Sequence, residues 1–122
     1  MSKVSVVFYC EEDGRAPFLE WFDRLPEKAQ EKCTVRIERL EECGHELRRP
    51  EADYLQDDIY ELRFKYQSVN YRILYFFHGQ QLVVLSHGIT KQRSDIPKNE
   101  IETAMKRMGN FAASPSKHTF KG

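Results

Sequence analysis

The sequence predicts an α+β fold, a mainly antiparallel sheet packed on two N-terminal helices in the order β-α-α-β-β-β-α. Three observations carry this. Residues 59–66 alternate strictly between two faces; residues 70–85 form two β-rich runs around a short polar turn; and residues 16–44 hold two consecutive segments with one apolar stripe each. Two amphipathic helices in a row need a common surface to bury their stripes, and the late strands supply it.

Taken in order, Val4, Val6 and Phe8 recur with a period of two, which predicts a first strand over about 3–10, broken by Glu11-Glu12-Asp13-Gly14. Pro17 suits the first turn of a helix over 16–25 carrying Phe18, Leu19, Phe22 and Leu25. Pro26 opens a second helix, where Ala29, Cys33, Ile37 and Leu40 repeat at spacings of four, four and three before Gly44 offers a C-terminal cap. Residues 45–58 read as an irregular charged connection. In the next strand Tyr60, Leu62, Phe64 and Tyr66 share one face, with Glu61, Arg63 and Lys65 on the other. Residues 70–77 and 82–85, joined by His78-Gly79-Gln80-Gln81, form a hairpin whose return strand runs on through Ile89. Pro97 starts a last helix with Ile101, Ala104, Met105 and Met108 on one side. Residues 1–108 therefore read as one domain, and 109–122, poor in apolar side chains, as a flexible tail.

A chain of 122 residues with 40% hydrophobic and 12% aromatic content fits one compact domain and excludes a disordered chain. The longest apolar runs, at 4–10 and 73–77, fall far short of the roughly 20 residues of a membrane span, so no membrane partner is expected. No signal-peptide pattern follows Met1-Ser2-Lys3, which places the protein in the cytoplasm. Cys10, Cys33 and Cys43 are widely spaced and read as free thiols rather than metal ligands. No glycine-rich phosphate loop, nucleophile elbow or metal spacing occurs, so neither a metal nor another cofactor is expected.

The net charge of zero hides an asymmetry. Residues 11–62 hold 16 acids against 8 bases, and residues 63–122 hold 10 bases against 3 acids. A polyanion-facing half, or an acidic half that meets a basic partner, would produce such a split; so would a mixed solvated surface. The cations gather on strands: Arg63 and Lys65 on one, Arg72 on the next, Lys91 and Arg93 beyond the third. Arg72 stands in line with Leu74 and Phe76, where a guanidinium needs an acid such as Glu61 or an open groove. His87 beside Leu85 is either a satisfied, partly buried histidine or a proton-transfer group. Tyr71, next to Arg72, is either sheet packing or an RNA contact of the stacking kind.

These residues carry a resemblance. The runs Tyr60-Glu61-Leu62-Arg63, Tyr71-Arg72-Ile73-Leu74-Tyr75 and Leu82 to Lys91, followed by Pro97, Glu100-Ile101 and Ala104, resemble the RelE/ParE toxin superfamily, in particular its phage-derived HigB-type branch of type II toxin-antitoxin systems. The match covers about residues 59–108. It implies a RelE-like fold and a ribosome-dependent mRNA endoribonuclease that inhibits translation without a metal. It further implies as partners a cognate helix-turn-helix antitoxin, the ribosome and mRNA, with DNA met only through the antitoxin complex. By position, Arg72 would hold the scissile phosphate, with Arg63 and Lys91 as further basic groups. Glu61 or His87 would move the proton, and Lys65, Arg93 and Tyr71 would contact RNA. Ile89 and Gln92 stand where the branch commonly has Phe and Lys. The rival reading is a non-catalytic binding protein, such as a ParE-like topoisomerase inhibitor.

Overall fold

A computed structural model describes residues 3–91 and 95–122. Five strands and three α-helices follow one another as β1 (Ser5–Phe8), α1 (Pro17–Phe22), α2 (Glu27–Cys43), β2 (Ala52–Gln56), β3 (Ile59–Tyr66), β4 (Val69–His78), β5 (Leu82–Lys91) and α3 (Lys98–Ala113), with a 3-10 turn at Gly44–Glu46. The strands make one sheet in the order β1-β5-β4-β3-β2. Neighbours among β2 to β5 are antiparallel, while β1 lies parallel to β5, Ser5 opposite Leu82 and Phe8 opposite Leu85. The α+β class and the two early helices stand as expected from the sequence; the sheet is mixed.

Two expectations are corrected. The stretch 45–58 is not wholly irregular, because Ala52–Gln56 adds an edge strand to β3. Its hairpin turns on Asp57 and Asp58, both with left-handed φ (51° and 67°), as Gln67 and Ser68 (49° and 68°) do between β3 and β4. Two central residues with positive φ match the twist of paired strands, but the usual Asn-Gly or Gly signal is missing from both. Residues 109–122 are likewise not a tail beyond the domain. Helix α3 continues to Ala113, burying Phe111 against Phe76, and the chain then returns along β1. There Cys10 N–H donates to His118 O at 2.9 Å and Phe120 N–H to Phe8 O at 2.9 Å, while the buried His118 ring stacks on Tyr9 at 5.0 Å. These contacts are backbone and polar, so apolar periodicity does not reveal them.

Both faces of the sheet are covered. On one, Phe18 and Trp21 of α1 and Ala29, Cys33 and Leu40 of α2 pack on Leu62, Phe64, Tyr71, Ile73, Tyr75, Val83 and Leu85. Gly88 lets α1 approach β5: a Cβ there would overlap the Trp21 ring, whose Nε1–H donates to Thr90 Oγ1 at 3.0 Å. On the other face, Ile101, Ala104 and Phe111 of α3 close over Ile59, Leu74, Phe76, Val84 and Ile89. Helix α3 reaches across β5 and β4 and leaves the outer half of β3, with Arg63 and Lys65, uncovered. Among the described residues, no helix is long and apolar enough to cross a membrane.

Candidate functional site

The alternation of β3 puts Glu61, Arg63 and Lys65 on the α3 side of the sheet. The β3–β4 register then sets Arg63 directly opposite Arg72, Lys65 opposite Asn70 and Glu61 opposite Leu74. Like charges facing each other across a strand pair are unfavourable, so this arrangement needs an anion. Glu61 supplies one. Its carboxylate, 2% exposed, accepts from Arg63 Nη1 at 2.8 Å through Oε2, and its Oε1 lies 3.2 Å from Arg72 Nε. That second contact is ionic only: the Nε–H does not point at the oxygen, and neither Arg72 Nε nor Glu61 Oε1 completes a hydrogen bond. Arg72 itself is 3% exposed and donates from Nη1 to its neighbour's carbonyl, Tyr71 O, at 3.2 Å. Burial first, and then repulsion from Arg63, holds the Arg72 pKa below its ordinary value. One carboxylate thus faces two guanidiniums, and a buried donor is left over.

The surplus charge opens on a cavity of about 310 Å³ at the exposed edge of β3. Arg36, Arg63, Lys65 and Arg72 line it together with Asn70, Phe64 and Pro50: four cations and, among the described residues, no acid. Arg36 comes from α2, where Glu51 holds it at 3.2 Å and also takes Arg39 at 2.8 Å. Those two guanidiniums, Arg39 before Arg36, keep the Glu51 carboxyl below its ordinary range. A cavity of this kind suits a phosphate, whose non-bridging oxygens match the fork of an arginine.

The other residues singled out in the sequence fall in different places. His87 is on the same sheet face but separated from Glu61 by Leu74. Its Nε2–H donates to Glu100 Oε1 at 2.9 Å, and its Nδ1 accepts from Arg107 Nη1 at 3.0 Å, with Ser86 Oγ 2.7 Å away. Arginine can only donate, which fixes the tautomer. Burial, and then the Arg107 charge, hold the ring's pKa below its ordinary value. Arg107 goes on to Glu11 Oε2 at 3.1 Å, so His87 belongs to a chain of contacts joining α3, β5 and the end of β1.

Tyr71 corrects an expectation. It lies on the α1 and α2 side, 4% exposed, stacked on Phe64 at 4.9 Å and edge-on to Trp21, so it packs the core and has no ring face for a nucleobase. Lys65 is exposed on the cavity wall, as expected. Lys91 ends β5 opposite Asn70; its side chain and Arg93 lie outside the described residues. Arg36 and Arg107 were not singled out from the sequence. The Arg36/Arg39 pair, which extends the bases Lys28 and Lys32 along α2, is the signal that could have found the first. Among the described residues, no three His, Cys, Asp or Glu side chains are placed to share a metal ion.

Comparison with known proteins shows the family. The family model for the phage-derived protein Gp49-like family (DUF891) matches residues 20–109. In two strains of Mycobacterium tuberculosis, CDC 1551 / Oshkosh and ATCC 25618 / H37Rv, a protein named probable endoribonuclease HigB1 is 33% identical over 100 residues, 82% of this chain and 78% of the relative. The matched span takes in the end of α1, all of α2, strands β2 to β5 and most of α3; the chain belongs to the phage-derived Gp49-like family, as a HigB-like member.

Proposed function

We propose that this chain is the toxin of a toxin-antitoxin pair and that it cleaves mRNA engaged on the ribosome, with a RelE-like fold and a cytoplasmic site of action. The observation that carries the reading is the buried Arg72, with an unpaired Nε–H, set across from Arg63 on a cavity lined by four cations. The curated relatives' name, probable endoribonuclease, supports the same reaction class.

The residues favour a metal-independent route. The 2′-oxygen of one nucleotide attacks the adjacent phosphorus, the bond to the 5′-oxygen of the next breaks, and a cyclic phosphate and a 5′-hydroxyl result. One proton leaves the 2′-hydroxyl and one reaches the departing oxygen. Arg63 and Lys65 would meet the non-bridging oxygens, and Arg72, from the cavity floor, would answer the charge that grows on them. Glu61 acts as a positioning residue: its oxygens are engaged with the two arginines, and it fixes both guanidiniums. No carboxylate or imidazole is among the described residues lining the cavity. Proton transfer by water or by groups of the ribosome then follows as part of the proposal, with dependence on the ribosome. The antitoxin, expected to carry a helix-turn-helix domain, would bring any contact with DNA.

The test is expression without the antitoxin, with RNA breaks mapped. Cleaved messages confined to translated RNA, together with slow cutting of naked RNA by purified protein, are the expected result. Growth arrest with intact messages would move the assignment to a non-catalytic binder such as a topoisomerase inhibitor.

A further inference from the structure

A second cavity, of about 400 Å³, adjoins the first and shares Arg63 with it. Its lining is of a different chemical kind. Leu55 of β2, Ile96 just ahead of α3 and Ile101 in its first turn give apolar walls, and Arg49, Asp53, Glu61 and Asp95 give polar edges beside Arg63. Such a mixture repels a second phosphate but suits a flat heterocycle with hydrogen-bonding edges, and the volume lies within the range of small-ligand sites. Glu61, 2% exposed and with its Oε1 completing no hydrogen bond, lines this cavity and not the first.

Resting on the reading above, we propose that this cavity is the subsite for the nucleobase beside the scissile phosphate, and that Asp53 selects guanine there. Asp53 Oδ2 accepts from Arg49 Nε at 2.9 Å and Oδ1 from the Tyr54 N–H at 3.0 Å. A carboxylate has about four acceptor positions, so two remain for a ligand. Guanine presents adjacent N–H donors on its Watson–Crick edge, from N1 and the exocyclic amine, which match the two oxygens; adenine presents an acceptor at N1 and is mismatched there. The guanidinium of Arg49, well exposed and tethered by Asp53, offers a plane against which a splayed base stacks. Arg63, common to both cavities, places the base next to its own phosphate.

The experiment measures binding of four tetraribonucleotides, each with a 2′-deoxy sugar at the cleavage position to prevent reaction and with G, A, inosine or U as the tested base. Wild type is expected to prefer G over A by about 10- to 100-fold, the range of a good bidentate base contact. Inosine, which lacks the exocyclic amine, should fall between them. Asp53→Asn, checked for an unchanged melting temperature, should level the series while keeping phosphate-driven affinity, and Lys65→Ala should weaken all four equally. Equal affinities in wild type, with Asp53→Asn unchanged and Lys65→Ala weaker, would overturn the base subsite and leave the RNA reading standing. No affinity for any of the four would remove both.

Discussion

Two polar groups of residues, one buried and one half-buried, lie on the same face of one sheet, and they are built to opposite ends. In the Glu61–Arg63–Arg72 group one carboxylate faces two guanidiniums, one buried donor completes no hydrogen bond, and the surplus charge looks into a cavity. In the Glu11–Arg107–His87–Glu100 chain the partners close on one another: two carboxylates flank one guanidinium and a neutral imidazole. Buried charge is costly unless it is paired. A group left incomplete at a cavity is therefore where a ligand completes it, whereas a completed one fastens secondary structure. The second chain ties α3, the β5 bulge at Ser86 and the end of β1 together.

The sharpest way to break this contrast is at Arg72. Arg72→Ala strands Glu61 in the core with one partner, and removing one member of a buried pair typically costs about 3–5 kcal/mol. We expect a large drop in melting temperature as well as lost activity, a different outcome from that of a surface phosphate contact. The double variant Glu61→Leu/Arg72→Met removes both charges at similar volume and should regain most of the stability without the activity. Recovery of RNA cleavage in that variant would show that the incomplete group has no part in the reaction.

Arg63→Ala separates function from folding more cleanly. Arg72 still neutralises Glu61, so the melting shift should stay near 1–2 kcal/mol, about one charged hydrogen bond. Loss of a preorganised donor to the transition state typically costs about 100- to 1000-fold in rate. Cleavage rates and thermal melts on the same preparation check both numbers. The reverse pattern is expected on the other side of the contrast: Arg107→Ala should cost about 2 kcal/mol through the lost bonds to Glu11 and His87, with cleavage at a permissive temperature close to wild type.

Much of this was legible in the sequence, for identifiable reasons. The period of two in 59–66 put Glu61 and Arg63 on one face, and the apolar neighbours of Arg72 already demanded an acid or a groove; the structure supplies both. The alternatives left open at His87 and Tyr71 were decided by contacts far apart in the chain, with Arg107 and Glu100 for one and Phe64 and Trp21 for the other. No local pattern encodes such partners. Strand β2 was missed because its turn, Asp57-Asp58, uses left-handed residues other than glycine, and because only Ala52 in it is fully buried. The C-terminal return was missed because its anchors are carbonyls and a histidine ring.

The smallest expected effect concerns acid, and it tests whether the His87 chain is as complete as its geometry implies. In the unfolded chain an imidazole takes its proton near pH 6.5. In the folded protein burial opposes that proton first, then the Arg107 charge, while Glu100 on α3 favours it; the net shift is downward. As pH falls through 6.5 the unfolded state therefore binds the proton before the folded state does, and stability declines until the folded pKa is reached. The stabilisation is present above the unfolded pKa. The slope for one group cannot exceed about 1.4 kcal/mol per pH unit. Melts of wild type and His87→Gln between pH 7.5 and 5.5 should differ in slope, the variant being flatter, because glutamine keeps a donor and an acceptor without titrating. Equal slopes would mean that Glu100 holds the protonated ring as well as the neutral one. The chain from β1 to α3 would then be an ion-pair relay, no longer the closed counterpart of the open arginine site.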